Sequence, residues 1–440
     1  MPQIDSWTNR LTGRLQTAGV LGQGPASATD LLLVLGLAAC FPLYFVARGW
    51  LNAALVLLSF FCLVQLLRQP GHTRALLQDR RVQWLLVALA APLLAVLMAQ
   101  LAHQEMVPRA FDSPLRLLMS ASVLLYLLQR RINFVPLAEW VLPVAVLLCA
   151  AAIFLPPDAH THFWGTGRFA TYFVDPLTLG QHITILGFMC LFLVHASGTD
   201  SLRLKWFKYA AFIAAMLVAI GTQSRSAWAI VPVLLTLWLV GVKRYNRPLQ
   251  IGLAVAAVAG LCLLLYFTTS TIRLRADEAI FEYGQYFSGA QRDSSPGIRL
   301  SMWRANWLLF LENPAFGWGY AHPAELNANP RIAAFSTPLF EFWYTRHGGH
   351  NEILTSMMHT GLPGLLSRLL LFIVPLLLFV QAARSRLPQR RMAGYLGLAL
   401  VLGYMMASIN TEVFNLIYIA SFYGLLLAAL AATVLSKDAE

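Results

Sequence analysis

Charge is what this chain has least of: Asp, Glu, Lys and Arg make up 12% of its 440 residues, apolar side chains 58%, and the mean hydropathy is +0.62. So few charges cannot clothe a soluble domain of that length, which excludes a water-soluble globular protein and implies an integral membrane protein. Cysteine is scarce too. All five, Cys40, Cys62, Cys149, Cys190 and Cys262, fall inside apolar runs, so they read as small packing residues, without a disulfide framework or a thiolate metal site. The sequence also lacks a phosphate loop of the Walker type, an internal repeat and any low-complexity tract.

What it has is apolar runs long enough to cross about 30 Å of hydrocarbon. They lie near 31–47, 50–67, 82–101, 115–129, 135–155, 176–197, 206–221, 227–242, 249–268, 352–382, 392–409 and 416–435. The expected fold is an all-α polytopic membrane protein of about twelve transmembrane helices. Nine fall in 1–268, a large segment at 269–350 stands outside the membrane, and 351–440 holds the last three. The runs at 115–129, 206–221 and 227–242 fall short of the roughly 20 residues a perpendicular helix needs. Their ends are expected at the interface or in a protein-lined recess.

Basic residues divide unevenly between alternate loops. Arg10, Arg14, Arg68, Arg74, Arg80, Arg81, Arg130, Arg131, Arg203, Lys205, Lys208, Lys243, Arg244, Arg247, Arg384, Arg386, Arg390, Arg391 and Lys437 fall on one side. By the positive-inside rule both termini are cytoplasmic and the segment 269–350 is external or periplasmic. No small-residue cleavage site follows the first run, so it reads as a retained helix. Topology thus accounts for nineteen of the 32 Lys and Arg, and the net charge of +12 does not point to nucleic acid.

Lysine is missing from the other side. The basic groups there are Arg48, Arg109, Arg116, Arg168, Arg225, Arg273, Arg275, Arg292, Arg299, Arg304, Arg331 and Arg346. A planar, permanently charged fork grips phosphate in bidentate fashion, so an external site for an anionic, lipid-borne substrate is expected.

Three stretches concentrate that expectation. Gly221-Thr222-Gln223-Ser224-Arg225-Ser226-Ala227-Trp228 is the polar gap between two short apolar runs. Arg225 there either snorkels to lipid phosphates or faces a substrate cavity, with Gln223 and Ser224 as hydrogen-bonding groups around it and Ser226 a candidate helix cap. Gly165-Thr166-Gly167-Arg168 runs through Asp175-Pro176 into the next span, where Asp175 either caps the helix or pairs with Arg168. Within the outer segment, Ser294-Ser295-Pro296 signals a helix start and Asn313-Pro314 its end. That helix carries Arg299, Trp303 and Arg304 and has enough apolar surface to lie at the interface, where an anchoring role for the tryptophans is the simplest reading. Beyond it, Pro314–Tyr320 is rich in turns, and aromatic residues such as Tyr320 are candidates to line sugar or lipid.

Thr345-Arg346-His347-Gly348-Gly349-His350-Asn351-Glu352 closes the outer segment, with Gly348-Gly349 read as a flexible hinge that lets the chain turn before His350. A neutral His350 at a helix start, its basicity lowered by the helix dipole and nearby arginines, suits a general base. His347, His350, Glu352 and His359 are an alternative metal set, though not in the HExxH spacing. A third reading leaves the histidines as loop bystanders. No GxSxG accompanies His347-Gly348-Gly349, which argues against a lipase-type loop.

These stretches together carry a resemblance. Thr222-Gln223-Ser224-Arg225-Ser226-Ala227-Trp228, then Arg299 with Trp303 ahead of Pro314, Gly317 and Gly319, then His350-Asn351-Glu352 ahead of Thr360-Gly361-Leu362-Pro363-Gly364, look like the ordered signature of the O-antigen ligase/polymerase superfamily. The Arg168 loop resembles a further family element, with Pro176-Leu177 here where the family often has Pro-Asn. The resemblance implies a GT-C-like membrane glycosyltransferase of the Gram-negative inner membrane, active at the periplasmic face. It would move O-antigen from undecaprenyl diphosphate to a sugar hydroxyl of lipid A-core by an inverting displacement, with membrane lipids as surroundings and no cofactor or metal. On that basis Arg225, Arg299 and Arg168 would hold the donor diphosphate and His350 would be the base. Glu352 would assist or be a helix-dipole partner, and Asn351, Gln223, Ser224, Trp303 and Tyr320 would line the substrate. The alternatives are an O-antigen polymerase or protein O-oligosaccharyltransferase of the same superfamily and, from another class, a transporter or flippase of an anionic lipid. Sparse intramembrane charge, essentially Arg368, makes the last a poor two-sided pathway.

Overall fold

The computed structural model describes residues 2–22, 27–155, 167–195, 201–243, 247–321 and 329–436. Gly165, Thr166, Arg244 and Lys437 lie outside the described residues, as do the side chains of Lys243 and His347. The described residues form helices and no strands, and a helix occupies most of each of the twelve apolar runs. Among the described residues nine helices are long and apolar enough to cross a membrane, so the chain is an all-α, multi-pass membrane protein. Ala28–Tyr44 and Arg225–Gly241 are apolar but shorter. Pro388–Ser408, which opens on Arg390 and Arg391 and contains three glycines, is not among the nine.

Two helices form the centre. Pro176–Leu193 and Ile417–Leu435 are apolar on every face, and 94% and 89% of their spans are buried, as expected of helices with no lipid-facing side. Pro248–Thr268 is 11% buried and stands at the rim. Its Cys262 is exposed, whereas the other four cysteines are buried packing groups. Lys208 departs from the loop position that its place in the basic tally implies. It lies inside Leu202–Gly221, fully buried, and its Nζ donates to Glu139 Oε2 at 2.9 Å and to the Leu193 carbonyl at 2.8 Å. Intramembrane charge is therefore not confined to Arg368.

The described part of 269–350 holds more helix than its start signals indicate: Ser270–Ser288, Ser295–Glu312, Pro330–Ala333 and Pro338–His347. Ser295–Glu312 begins where Ser294 caps it, its hydroxyl accepting from Gly297 N–H at 3.2 Å. This helix is more than an interfacial anchor. Ile298, Met302, Ala305 and Leu309 pack with Ile332, Phe335, Phe340, Tyr344 and Met358 into a small second core. That core is tied to the membrane helices at Gly361, whose φ of 64° breaks the helix Glu352–Ala383. A Cβ at Gly361 would meet the Pro314–Ala315 backbone, and Leu362 N–H donates to Pro314 O at 2.8 Å. The turn after Ser295–Glu312 therefore docks in the kink of Glu352–Ala383.

Candidate active site

At one end of the bundle the connecting segments converge, because polar groups on each are satisfied by the next. Thr222-Gln223-Ser224 links two membrane helices, with Gln223 exposed at φ 52°. Ser224, not Ser226, caps the helix that starts at Arg225: its carbonyl accepts from Ala227 and Trp228 N–H, and its hydroxyl sits 3.0 Å from that of Ser226. Ser224 is 1% exposed and so does not line an opening. Gln181 Nε2 bridges Ser226 and Thr411 at 3.0 Å each, joining this corner to the link between the last two helices.

Three arginines meet here. Arg168 Nε donates to the Thr222 carbonyl at 2.8 Å, and Phe169 N–H donates to Gly221 O at 2.8 Å, which pins the Arg168 loop onto the link. Asp175 is the helix cap, accepting from Leu177 and Thr178 N–H, so its role as a cap is met without a direct ion pair to Arg168. Arg225 pairs with Glu282 at 3.0 Å and Glu278 at 3.4 Å on Ser270–Ser288. Arg299 has no carboxylate partner among the described residues. The ionisable groups that act on it through space are the Tyr283 phenol and the guanidiniums of Arg225 and Arg168. Burial, then those two cations, push its basicity below the ordinary arginine range, and burial does the same for Arg168. A half-buried cation set among cations is unfavourable unless an anion joins them.

Four residues along from Arg299, on the same helix face, Trp303 donates its indole N–H to the His350 carbonyl at 3.4 Å. Trp303 is thus a positioning contact for the loop carrying the candidate base. His350 itself adopts φ 49°, a left-handed conformation that costs a non-glycine residue on the order of 1–3 kcal/mol and persists only when held. Glu412 helps to hold it, since its Oε1 accepts the His350 N–H at 3.0 Å and the Thr355 hydroxyl at 3.0 Å. The chain continues from Tyr344 OH to Asn306 Oδ1 at 2.6 Å and from Asn306 Nδ2 to Thr355 at 3.1 Å.

Gly348 and Gly349 are consequently not a free hinge. Gly348 has φ 73°, and a Cβ on it would collide with the Glu412 carboxylate, while one on Gly349 would strike the Asn306 amide. These glycines let the backbone lie flat on a polar floor. Burial, reinforced by nearby Glu352, raises the Glu412 carboxyl to about 7.

Asn351 caps the helix that follows, accepting from Leu354 N–H at 3.0 Å and donating to the Ile409 carbonyl at 3.1 Å. Glu352 is neither a bare helix-dipole partner nor directed at the arginine trio. It is 3% exposed, ion-paired with Arg368, and accepts from Phe414 N–H at 2.9 Å. The alternative metal set does not assemble around Glu352 and His359, because His359 Nδ1 is bonded to the Gly319 carbonyl at 2.6 Å and its ring stacks on Tyr320. Tyr320 is fixed by its N–H to Glu105 at 2.7 Å.

Residues 209–369 match the family model described as O-antigen ligase. Over that span the chain is similar to the O-antigen ligase superfamily. No curated protein sequence matches it. The matched span holds Arg225, Arg299, Trp303, Tyr320, His350, Asn351 and Glu352, while Arg168 and Glu412 lie outside it and only folding brings them in. A signal for Glu412 exists in the sequence: it is the sole carboxylate of Ile409–Leu416, the short link between the last two apolar runs.

Proposed function

We propose that this chain is a glycosyltransferase that ligates O-antigen polysaccharide from undecaprenyl diphosphate onto a sugar hydroxyl of lipid A-core. In this reading the site faces the periplasm of a Gram-negative inner membrane, with both termini cytoplasmic. The observation that carries it is Arg299, lacking a carboxylate partner among the described residues, flanked by Arg225 and Arg168, and one helical turn from the tryptophan that touches His350.

An acceptor hydroxyl attacks the anomeric carbon of the donor, a C–O bond forms, and the bond to the diphosphate oxygen breaks with inversion. The hydroxyl proton passes to His350, and undecaprenyl diphosphate leaves with the bonding pair. Negative charge grows on the diphosphate as that bond stretches, and guanidiniums already placed there stabilise it without reorganising. This is the work a divalent ion does in other diphosphate-leaving reactions. The left-handed backbone at His350 supports the same reading, as strain of this kind gathers at sites where a side chain must be aimed.

The test is transfer by the purified full-length protein from a lipid-linked glycan, offered lipid A-core, free glycan or a pilin-like protein. Modification of lipid A-core, surviving EDTA, is expected. Transfer only to glycan or protein would make the chain a polymerase or protein oligosaccharyltransferase, and loss with EDTA restored by Mg²⁺ or Mn²⁺ would overturn the arginine mechanism.

A further inference from the structure

Beside the His350 loop, but not lined by any of the three arginines, lies a cavity of about 220 Å³. One wall is the stacked pair Tyr320 and His359, ring centroids 4.4 Å apart and planes within 7°. Glu352 with its partner Arg368, and Glu412, form polar walls, and exposed Arg109 is also in the lining, with Ser113, Pro114 and Phe414. We propose that this cavity is the acceptor subsite and takes one pyranose ring, the sugar whose hydroxyl is glycosylated. The proposal rests on the transferase reading above.

Size is the first reason. The cavity is below the roughly 300–1,000 Å³ of sites that enclose drug-sized ligands, so it admits a single sugar unit and not a chain or an isoprenoid. Charge is the second. Arg368 is neutralised by its ion pair with Glu352, so the cavity offers a diphosphate less attraction than the trio around Arg299. Chemistry is the third. Glu352 accepts from Arg368 and from Phe414 N–H, which leaves about two of its roughly four acceptor positions for the outward-pointing hydroxyls of a sugar. The flat Tyr320–His359 wall suits the apolar C–H face of the same ring. Glu412 joins this cavity to the reaction, for the carboxylate that lines it also accepts the His350 N–H at 3.0 Å. A ring seated there lies next to the proposed base.

The full-length protein is assayed with lipid-linked glycan as donor and purified lipid A-core as acceptor, for wild type, Tyr320→Leu and Arg109→Gln. The acceptor KM is expected to rise about tenfold in each variant while the donor KM stays at the wild-type value. Tyr320→Leu removes the flat face that would meet the sugar ring; Arg109→Gln alters an exposed residue, so it reads the cavity even if the tyrosine variant misfolds. Unchanged acceptor KM in both, or a parallel rise in donor KM, overturns the subsite while leaving the transferase reading intact. No transfer by the wild type overturns both.

Discussion

Replacing Glu412 with Gln takes a charge out of the floor beneath the His350 loop while leaving a carbonyl oxygen for the donors that converge there. In the folded protein the carboxyl is raised from 4.5 to about 7, by burial first and by Glu352 second. In the unfolded chain it ionises at its ordinary value. An acid whose folded pKa is raised holds its proton longer when folded, so stability falls as pH climbs above about 4.5 and stops falling beyond about 7, where both states are ionised. At about 1.4 kcal/mol per tenfold change in proton affinity, the loss between pH 5 and pH 8 is roughly 2–3 kcal/mol. For a chain of this size that lowers Tm by about 3 °C. Thermal unfolding of wild type and Glu412→Gln across that pH range should show the drop in the wild type and its disappearance in the variant. A variant that keeps the wild-type pH dependence would refute the buried-acid reasoning. Glu412→Ala should fare worse than Gln at every pH, because the His350 N–H, the Thr355 hydroxyl and the Asn415 amide lose their acceptor, each at roughly 1–3 kcal/mol.

The remaining predictions concern the proposed chemistry and the loop. Arg299→Gln should lower kcat/KM for the lipid-linked donor by about 10²–10³-fold, the usual loss for one preorganised charge donor, with Arg299→Lys intermediate; steady-state transfer kinetics decide it. His350→Ala should abolish transfer yet still bind donor, measured by retention of the labelled lipid, and transfer that persists would remove His350 from the role of base. Gly348→Ala should destabilise by roughly 1–3 kcal/mol, since the added methyl needs both a left-handed backbone and the space of the Glu412 carboxylate; a melting temperature equal to wild type would show that the loop can move aside.

Much of the frame was legible in the sequence. The apolar runs mark their helices because the length needed to span hydrocarbon is fixed, and starts such as Ser294 and Asp175 are local, each a side chain meeting amides two or three residues on. Lys208 was not legible, since a lysine near a predicted boundary looks like a loop residue until Glu139, 69 positions away, is seen beside it. Gly348-Gly349 read as flexibility because sequence displays a missing side chain and not the Glu412 and Asn306 groups that fill its place. Ser224 and Trp303 read as groups facing a substrate, and the structure uses them to cap a helix and to hold a carbonyl.

By itself the sequence determined that the chain crosses a membrane many times as helices, and it marked Arg225, Arg299 and His350, because hydropathy, capping and arginine-rich turns are properties of short stretches. Tertiary structure decided that Arg168, Arg225 and Arg299 share one corner, that Glu352 serves Arg368, and that Glu412 supports His350. Those are contacts between segments from 16 to more than 100 residues apart, and burial and charge pairing act across space, where distance along the chain has no say.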